Sequence, residues 1–260
     1  MGVKIHSTAI VSPKAKIGDN VSIGAFSIIA DEVEIGEGTE IKNNVTIENY
    51  VKIGKCNKIF SNAVIGSIPQ DLKFGDEITN VEIGDNNTIR ECVTISRGTK
   101  HGGKLTKIGN NNMLMAYSHI AHDCKVGSNI VMANVATLAG HVEIMDNAIL
   151  GGLTAIHQFV RIGRFSIIGG MTRVPKDVIP FSSIACKSKT KIFGVNKIGL
   201  MRNGFSDENR MIIHKAFKII MREGNNISQA VEILKKQYSD NIYVKEIVDF
   251  IGFSKRGIIR

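Results

Sequence analysis

The stretch IGDNVSIGAFSIIADEVEIGEGTEIKNNVTIENYVKIGKCNKIFSNAVI, residues 17–65, has an aliphatic side chain at every sixth position. The series extends back to Ile5, and two further series follow over residues 83–95 and 108–174. A six-residue period fits neither an amphipathic helix nor a coiled coil. It predicts a hexapeptide solenoid, in which each hexad forms one short strand and one turn.

The residue two places before each aliphatic side chain is small or branched, and alternation along a strand points both residues to the same face. Both positions are therefore expected to face the interior of the solenoid. Three hexads close one triangular coil of 18 residues. Glycine often follows the aliphatic residue, where we expect corners that need its permissive backbone. Examples are Gly18, Gly24, Gly36 and Gly54.

The hexads are interrupted twice and end near residue 180. Residues 67–82 and 96–107 lose the aliphatic spacing, and insertions in a solenoid become surface loops, often on its binding face. Beyond the hexads the period becomes helical, with Ser206 placed to cap the first helix. We predict a solenoid over residues 1–180. Residues 181–260 are predicted to form a connecting segment and an α-helical C-terminal domain that closes the open end.

The composition favours a cytoplasmic protein with no integral membrane segment. No apolar run is long enough to cross a bilayer, and the first residues lack the apolar region of a signal peptide. The four cysteines form no CxxC pair, so reduced thiols are expected. The formal charge of +9 is dispersed along the chain and tryptophan is absent, which favours an acidic protein or phosphorylated ligand over nucleic acid.

Four of the seven histidines come together when the chain is wound into 18-residue coils. Counted from Gly109, places 11, 14, 15 and 13 of their coils hold His119, His122, His141 and His157. Adjacent coils are about 4.8 Å apart, so Gly140 and His141 lie one coil beyond His122, and Gln158 lies two coils beyond it. None of the four histidines takes an inward position, which favours a functional polar stripe over core histidines.

Two other classes of function compete with an enzyme site. A trimeric solenoid can hold a histidine zinc site like that of the γ-class carbonic anhydrases. The spacing of His119 and His122 differs from that family's and no third ligand is evident, so no metal is expected. A structural or ice-binding solenoid would present a regular outward array such as threonine ladders, whereas the outward positions here are irregular and charged.

Six stretches of the chain are distinctive in combination: PQDLK (69–73), IRECVTISRGT (89–99), HIAHDC (119–124), NVATLAGHV (134–142), GGLTAIHQF (151–159) and FGVNKIGLMRNGFS (193–206). Together they resemble the UDP-N-acetylglucosamine O-acyltransferases, which begin lipid A biosynthesis. The resemblance covers the whole chain and implies an all-β left-handed parallel β-helix with triangular coils, against the usual right-handed crossover rule. It also implies transfer of a (R)-3-hydroxyacyl chain from acyl carrier protein to the 3-position of the UDP-linked sugar.

The same resemblance implies a role for each candidate site residue. His122 would be the general base, Asp123 would orient its imidazole, and the Gly140 amide would donate to the developing oxyanion. The substrate cleft would be lined by His119, His141, His157 and Gln158. Further contacts to the sugar nucleotide would come from Asp71 and Lys73, and at its uridine diphosphate end from Asn196 and Arg202.

The acyl-chain channel is where the chain departs from the family pattern. Gly170 lies at a place that borders this channel and leaves room for methylenes, whereas the neighbouring Met171 would shorten it. Lys189 stands where the family often has a histidine, and Asn203 replaces the second residue of a common double arginine. Acyl length is therefore left open, as is the choice between a 3-hydroxyl and a 3-amino acceptor.

The implied partners are acyl carrier protein, whose phosphopantetheine arm holds the acyl group, and the UDP-sugar, with no separate cofactor. We expect a homotrimer, because the polar edge of one solenoid cannot enclose a long acyl chain whereas a cleft between two solenoids can. From residue 201 onward the chain has 11 Lys/Arg and 7 Asp/Glu, a net of +4 that suits an acidic carrier.

Two related enzymes remain as alternatives. The N-acyltransferase of the same pathway normally has an extra N-terminal uridine-binding domain, for which the hexads starting at Ile5 leave no room. Another hexapeptide acyl- or acetyltransferase could act on a nucleotide sugar, but the PQDLK insertion and the basic helical tail argue against acetyl-CoA as its donor.

Overall fold

The hexads form a left-handed parallel β-helix, followed by a β-hairpin and a small helical domain. The computed structural model describes residues 2–186, 188–221, 224 and 226–260. Most strands have only two residues, and each pairs in parallel with the strand one coil further on. Thus Lys4 pairs with Ser22, 18 positions later. Across the two insertions the steps lengthen, while the pairing continues in the same order.

Three sheets form the faces of the triangular prism. Sheet A contains β1 (Lys4–Ile5), β4 (Ser22–Ile23), β7 (Glu40–Ile41), β10 (Lys58–Ile59), β13 (Thr88–Ile89), β16 (Met113–Leu114), β19 (Val131–Met132), β22 (Ile149–Leu150), β25 (Ile167–Ile168), β27 (Ser182–Cys186) and β28 (Thr190–Val195). Sheet B contains β2 (Ile10–Val11), β5 (Ile28–Ile29), β8 (Thr46–Ile47), β11 (Val64–Ser67), β14 (Thr94–Ser96), β17 (His119–Ile120), β20 (Thr137–Leu138), β23 (Ala155–Ile156) and β26 (Arg173–Val174). Sheet C contains β3 (Lys16–Ile17), β6 (Glu34–Ile35), β9 (Val51–Ile53), β12 (Asn80–Ile83), β15 (Leu105–Ile108), β18 (Lys125–Val126), β21 (Glu143–Ile144) and β24 (Arg161–Ile162).

The core is the interior of the prism, and both predicted inward positions are buried there. Val45 and Ile47 are fully buried, and so are Val93 and Ile95 after the first insertion. The same register recurs from coil to coil, so aliphatic side chains stack in continuous columns. Burial of this apolar surface is the main favourable contribution to folding. In a solenoid each coil buries its aliphatic side chains against its two neighbours, which therefore stabilise it.

Most of the glycines that follow the aliphatic residues have a different role from the one expected. Left-handed φ falls at the second turn residue instead, as in Asn20 and Phe26, both at 58°. At Gly36 an added Cβ would lie 2.5 Å from the carbonyl carbon of Gly54 in the next coil. The expectation of a permissive backbone is therefore wrong for Gly18, Gly24, Gly36 and Gly54, where the backbone of the next coil passes too close for a side chain. It is confirmed for Gly66, whose φ is 86°.

The insertions become two surface loops that are shorter than the sequence suggests. β11 extends to Ser67 and β12 starts at Asn80, so loop 1 spans residues 68–79. β14 extends to Ser96 and β15 starts at Leu105, which leaves residues 97–104 as loop 2, with a 3₁₀ turn at Lys100–Gly102. The strands continue into the irregular sequence because their neighbours in the sheet supply backbone partners.

Two elements after the prism were not expected from the sequence, namely a β-hairpin and the first, short helix. β27 and β28 form an antiparallel hairpin at the edge of sheet A, within the predicted connecting segment. The helices are α1 (Lys197–Arg202), α2 (Asp207–Met221), α3 (Ile227–Gln237) and α4 (Ile242–Gly252). The last three match the predicted helices, and Ser206 Oγ accepts from the Asn209 amide at 3.2 Å at the start of α2, as predicted.

The two ends of the prism differ. At the C-terminal end, Asp177 holds the closing tail, because its carbonyl accepts from the Ile259 amide at 2.9 Å and its Oδ2 from the Ser254 hydroxyl at 2.7 Å. At the N-terminal end the first coil has no described cover, and Ile5 is 48% exposed. Among the described residues, no helix is both long and apolar enough to cross a bilayer.

Candidate active site

The predicted polar column lies at the corner where each coil passes from sheet B to sheet C, here called the B–C corner. Its turns are His122–Asp123, Gly140–His141 and Gln158–Phe159 in successive coils. The His141 amide donates to the His122 carbonyl at 3.0 Å, and the Phe159 amide donates to the Gly140 carbonyl at 3.1 Å. Winding the sequence at 18 residues per coil therefore placed these turns above one another correctly.

His122 and Asp123 form a buried hydrogen-bonded pair at this corner. The distance from His122 Nδ1 to Asp123 Oδ2 is 2.8 Å, and the side chains are 9% and 0% exposed. An ionised carboxylate can only accept, so Nδ1 of His122 is the donor, and the neutral tautomer with its proton there has its lone pair on Nε2. The backbone of Asp123, with φ of 60°, adopts the left-handed conformation that aspartate tolerates better than most residues.

The carboxylate of Asp123 is held from its other side by Thr99 in loop 2. The Thr99 amide donates to Oδ1 at 2.9 Å, and the Thr99 hydroxyl lies 2.7 Å from Oδ2. Burial favours a raised pKa for the Asp123 carboxyl, but the hydrogen bonds from His122 and Thr99 outweigh it and hold the pKa below its usual value. The charged form of Asp123 is therefore stabilised in a buried setting. Thr99 was not singled out from the sequence, although it is the last residue of the IRECVTISRGT stretch.

Loop 2 also changes the expected surroundings of His122. The register places His122 outside the core, as predicted, yet its side chain is almost completely covered. Loop 2 folds over the corner so closely that a Cβ on Gly102 would collide with the carboxyl group of Asp123. His122 is therefore a buried residue outside the prism rather than a solvent-exposed one.

Gly140 lies against the imidazole of His122. A Cβ at this position would be 2.5 Å from His122 Cε1 and 2.6 Å from Nε2. Of the hydrogen bonds formed within the described residues, none uses the Gly140 amide as a donor. The missing side chain leaves room for the imidazole, and the amide is available to a ligand beside Nε2.

Two further histidines flank the pair. His119 Nδ1 lies 2.7 Å from the Thr94 hydroxyl, and the ring of His141 stacks on Phe159 with centroids 4.4 Å apart. Burial lowers the pKa of both His119 and His141, and the nearby His122 lowers it further. For His141 the carboxylate of Asp123, 3.8 Å from Nε2, acts in the opposite direction without reversing the shift.

A cleft of about 490 Å³ opens beside this corner. Loop 1 contributes two predicted residues, Asp71 and Lys73, and the Lys73 amide donates to Asp71 Oδ1 at 3.0 Å. The predicted residues that line the cleft are Asp71, Lys73, His119, His122, Gly140 and Gln158. It is also lined by residues that the sequence did not single out, namely Gln70, Leu72, Ser96, Ala121 and Ala139.

The other predicted residues lie outside this cleft in the single chain. His157 is exposed, with Nδ1 3.2 Å from the Gln158 carbonyl. Gly170 and Met171 form an exposed turn where the chain passes from sheet A to sheet B, and Lys189 is exposed in the turn of the hairpin. The structure does not bring these four residues to His122.

Asn196 and Arg202 line a different cavity, of about 530 Å³, against the outer face of sheet A. The side chain of Asn196 is already engaged, because Oδ1 accepts from the Gly199 amide at 3.0 Å and Nδ2 donates to the Phe165 carbonyl at 2.9 Å. It caps α1 and joins this helix to the prism. Arg202, in the last turn of α1, is exposed.

His122, Asp123 and His141 place possible metal-ligand atoms within 4.8 Å of one another. Asp123 is thus a third potential ligand that the sequence pattern did not reveal. Its Oδ2 atom, however, already lies at hydrogen-bond distance from both His122 and Thr99. These contacts suit a carboxylate that orients an imidazole better than one that binds zinc beside it.

Comparison with known proteins identifies the family of the chain. A family model described as "Udp N-acetylglucosamine O-acyltransferase; Domain 2" matches residues 177–259, and a hexapeptide-transferase model matches residues 14–49 and 105–140. Two similar relatives are acyl-[acyl-carrier-protein]–UDP-N-acetylglucosamine O-acyltransferases. The one from Aquifex aeolicus is 60% identical over 99% of this chain and 98% of its own length, and the one from Sulfurihydrogenibium is 58% identical over 98% and 94%.

A solved structure gives the same result for the fold. The UDP-N-acetylglucosamine acyltransferase of Francisella novicida is 43% identical, covers 98% of this chain and 94% of its own, and superposes with a TM-score of 0.96. The match includes the prism and the helical domain, so both parts of the chain are shared. With full-length identity of this order, the chain belongs to the UDP-N-acetylglucosamine O-acyltransferase family of hexapeptide-repeat enzymes.

Proposed function

We propose that this chain transfers a (R)-3-hydroxyacyl group from the thioester of acyl carrier protein to the 3-position of UDP-N-acetylglucosamine, the first step of lipid A biosynthesis. The observation that carries this proposal is the buried pair of His122 and Asp123, which opens on a cleft beside the Gly140 amide. A neutral imidazole with an oriented Nε2 lone pair is a suitable base for a sugar hydroxyl.

The reaction follows from this geometry. Nε2 of His122 takes the proton of the acceptor hydroxyl as its oxygen attacks the thioester carbonyl carbon. The carbonyl oxygen becomes an oxyanion and accepts a hydrogen bond from the Gly140 amide. Collapse of this intermediate breaks the carbon–sulfur bond, and the imidazolium returns its proton to the departing thiol of the phosphopantetheine arm. Asp123 stabilises the imidazolium throughout.

The sugar nucleotide occupies the cleft beside the corner. Asp71, Lys73 and Gln158 present polar groups to it there, and the carrier's arm brings the only prosthetic group that the reaction needs. His119 and His141, both neutral near pH 7 because their pKa values are lowered, offer hydrogen bonds without repelling the imidazolium.

A homotrimer completes this site. Sheet A is the face of the prism opposite the B–C corner, so Asn196 and Arg202 cannot reach the cleft beside His122 of their own chain. A neighbouring copy would bring Arg202 to the diphosphate, for which its planar guanidinium is suited. The corner between sheets A and B exposes Tyr117, Leu153 and Met171, which a second copy would cover.

The same arrangement assigns the remaining residues. Gly170, Met171 and Lys189 would border the acyl chain between two subunits, and His157 would face the neighbouring chain. The helical domain would receive acyl carrier protein through its net charge of +4, and the enzyme would act in the cytoplasm, where acylated carrier is available.

The test is turnover of UDP-N-acetylglucosamine and its 3-amino analogue with a panel of 3-hydroxyacyl carrier proteins, read by mass spectrometry. His122→Ala is expected to lower kcat by about 10²–10⁴, the usual contribution of a general base. Activity of this variant within about tenfold of the original would place the base elsewhere. His6→Ala is the matched control, since His6 is an exposed histidine of the first coil and should leave kcat unchanged.

A further inference from the structure

We infer that Thr99, in loop 2, is a positioning residue for the reaction and forms a third member of the buried chain Thr99–Asp123–His122. This inference rests on the proposed function, in which His122 is the base. Thr99 contacts the Asp123 carboxylate through both its amide and its hydroxyl, at 2.9 and 2.7 Å. Its hydroxyl and the imidazole of His122 share the same oxygen, Oδ2.

The direction of the hydroxyl is fixed by its neighbours. The Gly102 amide lies 3.1 Å from Thr99 Oγ1 and can only donate to it. The carboxylate on the other side can only accept, so the hydroxyl proton must point to Oδ2. The Thr99 hydroxyl is therefore a hydrogen-bond donor with a fixed direction, rather than a freely rotating hydroxyl that lies near a charge.

The two contacts restrict rotation of the carboxyl group. Two rotatable bonds, Cα–Cβ and Cβ–Cγ, set the position and the plane of the Asp123 carboxylate. The Thr99 amide holds Oδ1 on one side, which leaves Oδ2 in line with Nδ1. Because the carboxylate is fully buried, no solvent can replace the hydroxyl if it is lost.

Loop 2 is itself anchored, which allows Thr99 to act as a fixed point. The Lys100 amide donates to Glu77 Oε1 in loop 1 at 2.9 Å, and the Lys104 amide donates back to the Thr99 carbonyl at 2.8 Å. Thr99 is buried between these contacts. The insertion thus does more than cover the corner, since it supplies the group that sets the orientation of the catalytic pair.

The experiment compares Thr99→Val, which removes the hydroxyl and keeps shape and amide, with Thr99→Ser, which restores it. Thr106→Val is the structural control, because the buried Thr106 hydroxyl accepts from the Asp123 amide at 2.8 Å and does not touch the carboxylate. For each full-length variant we would measure kcat, KM for the sugar nucleotide and melting temperature. The His122 Nδ1–H resonance would be recorded in ¹⁵N-histidine-labelled protein.

Thr99→Val is expected to lower kcat roughly tenfold, as for loss of a hydrogen bond to a buried charge, with KM changed less than about twofold. The His122 Nδ1–H resonance should broaden by exchange with water. Thr99→Ser should recover most of kcat and the resonance, and Thr106→Val should lower the melting temperature while it retains both.

Two results would overturn the inference. One is a Thr99→Val enzyme with unchanged kcat and an intact Nδ1–H resonance. The other is equal losses of kcat in Thr99→Val and Thr106→Val, which would indicate general damage to the packing around Asp123. Either result, obtained while His122→Ala is inactive, refutes the role of Thr99 alone. An active His122→Ala enzyme would refute the proposed base.

Discussion

Gly140 is a position where the smallest substitution should damage the active site. In Gly140→Ala the new Cβ would need the space of the His122 imidazole, 2.5 Å from its Cε1 atom. Either the ring moves away from Asp123 or the turn shifts with its amide, and both displace a group of the proposed reaction. We expect kcat to fall by about 10²-fold, as for loss of an oxyanion donor, with the oligomeric state unchanged.

Steady-state kinetics and a structure of the Gly140→Ala enzyme would check this. Gly252→Ala is the matched control, because a Cβ there meets nothing within 4 Å and the site is remote. It should keep full activity. If the Gly140→Ala enzyme is as active as this control, the B–C corner accommodates the added methyl group without loss of activity, and the oxyanion donor is another group.

Partly buried histidines should make the free energy of unfolding fall in mild acid. Burial lowers the pKa values of His119, His141 and His214, so the folded chain favours their neutral forms. Their contribution is present above the pKa of about 6.5 that histidine has in unfolded chains, and it is lost as the pH falls below that value. Denaturant unfolding at pH 7.5 and 5.5 would measure the loss.

His141→Asn should reduce this pH dependence, since it removes one of these groups. The charged and titratable groups that act on His141 are Asp123 and His122 at the corner and Asp71 from loop 1. The exposed His6→Ala variant is the control and should leave the dependence unchanged. An equal slope in His141→Asn and the parent would mean that His141 titrates alike in the folded and unfolded chains.

Site residues that lie in the repeating hexads could be predicted from the sequence, whereas those in the inserted loops could not be placed by counting residues. His122, Gly140 and Gln158 lie in hexads, so counting coils was enough to bring them together. Asp71 and Lys73 lie in a loop and were found only through family resemblance. Thr99 and the covering of His122 were missed, because the path of an inserted loop is fixed by tertiary contacts that no period in the sequence records.

Loops 1 and 2 are joined by contacts that should make them act together. The Glu77 carboxylate accepts from the Lys100 amide at 2.9 Å and from the Gly75 amide at 2.8 Å, which lowers its pKa. The guanidinium of Arg97 lies 5.4 Å from the ring centre of Phe74. Loop 1 presents Asp71 and Lys73 to the cleft, so its position depends on this link.

Glu77→Ala should therefore raise KM for the sugar nucleotide several-fold, as expected when a binding loop loses a fixed position, and change kcat less. Hydrogen exchange of amides in residues 68–79 should become faster. Glu82→Ala, which removes an exposed carboxylate 3.9 Å from Lys107 on sheet C, is the charge-matched control. If both variants bind the sugar nucleotide equally, loop 1 is held without Glu77.

Strands and helices differed in how well the sequence predicted them. Repeating hexads predicted the strands down to the inward residues, because one periodic pattern satisfies both the turn and the core. Helices α2 to α4 showed their own period and caps. The β27–β28 hairpin and α1 were missed because residues 181–200 have neither period, and Asn196 Nδ2 and Phe165 join α1 to the prism only in three dimensions.

The proposed trimer predicts that different subunits can complement one another. A cleft is proposed to take His122 from one chain and Arg202 from its neighbour. Mixed trimers of His122→Ala and Arg202→Ala chains should then contain some intact clefts. Every trimer that contains both kinds of chain has one complete cleft of its three, so isolated mixed trimers should approach about one third of the parental kcat.

Co-expression with two affinity tags would isolate such mixed trimers. His122→Ala mixed with inactive His122→Ala,Arg202→Ala chains is the control, since no cleft in that mixture has His122. It should show no recovery. The first mixture could instead show no more activity than either single variant, with mixed trimers verified by mass. That result would show that both residues serve a cleft of the same chain, and it would remove the geometric argument for shared sites.

The repetition of similar coils makes the length of the prism adjustable. Each coil contacts only its neighbours, and the N-terminal end lies several coils away from the B–C corner at His122. Residues 19–36 are one full repeat, so a tandem duplication of them would continue all three sheets in register. Such an elongated enzyme should melt no lower than the parent and turn over at the same rate. Coils could thus be added in the N-terminal part of the prism by evolution or engineering, whereas the C-terminal end is closed by the helical domain.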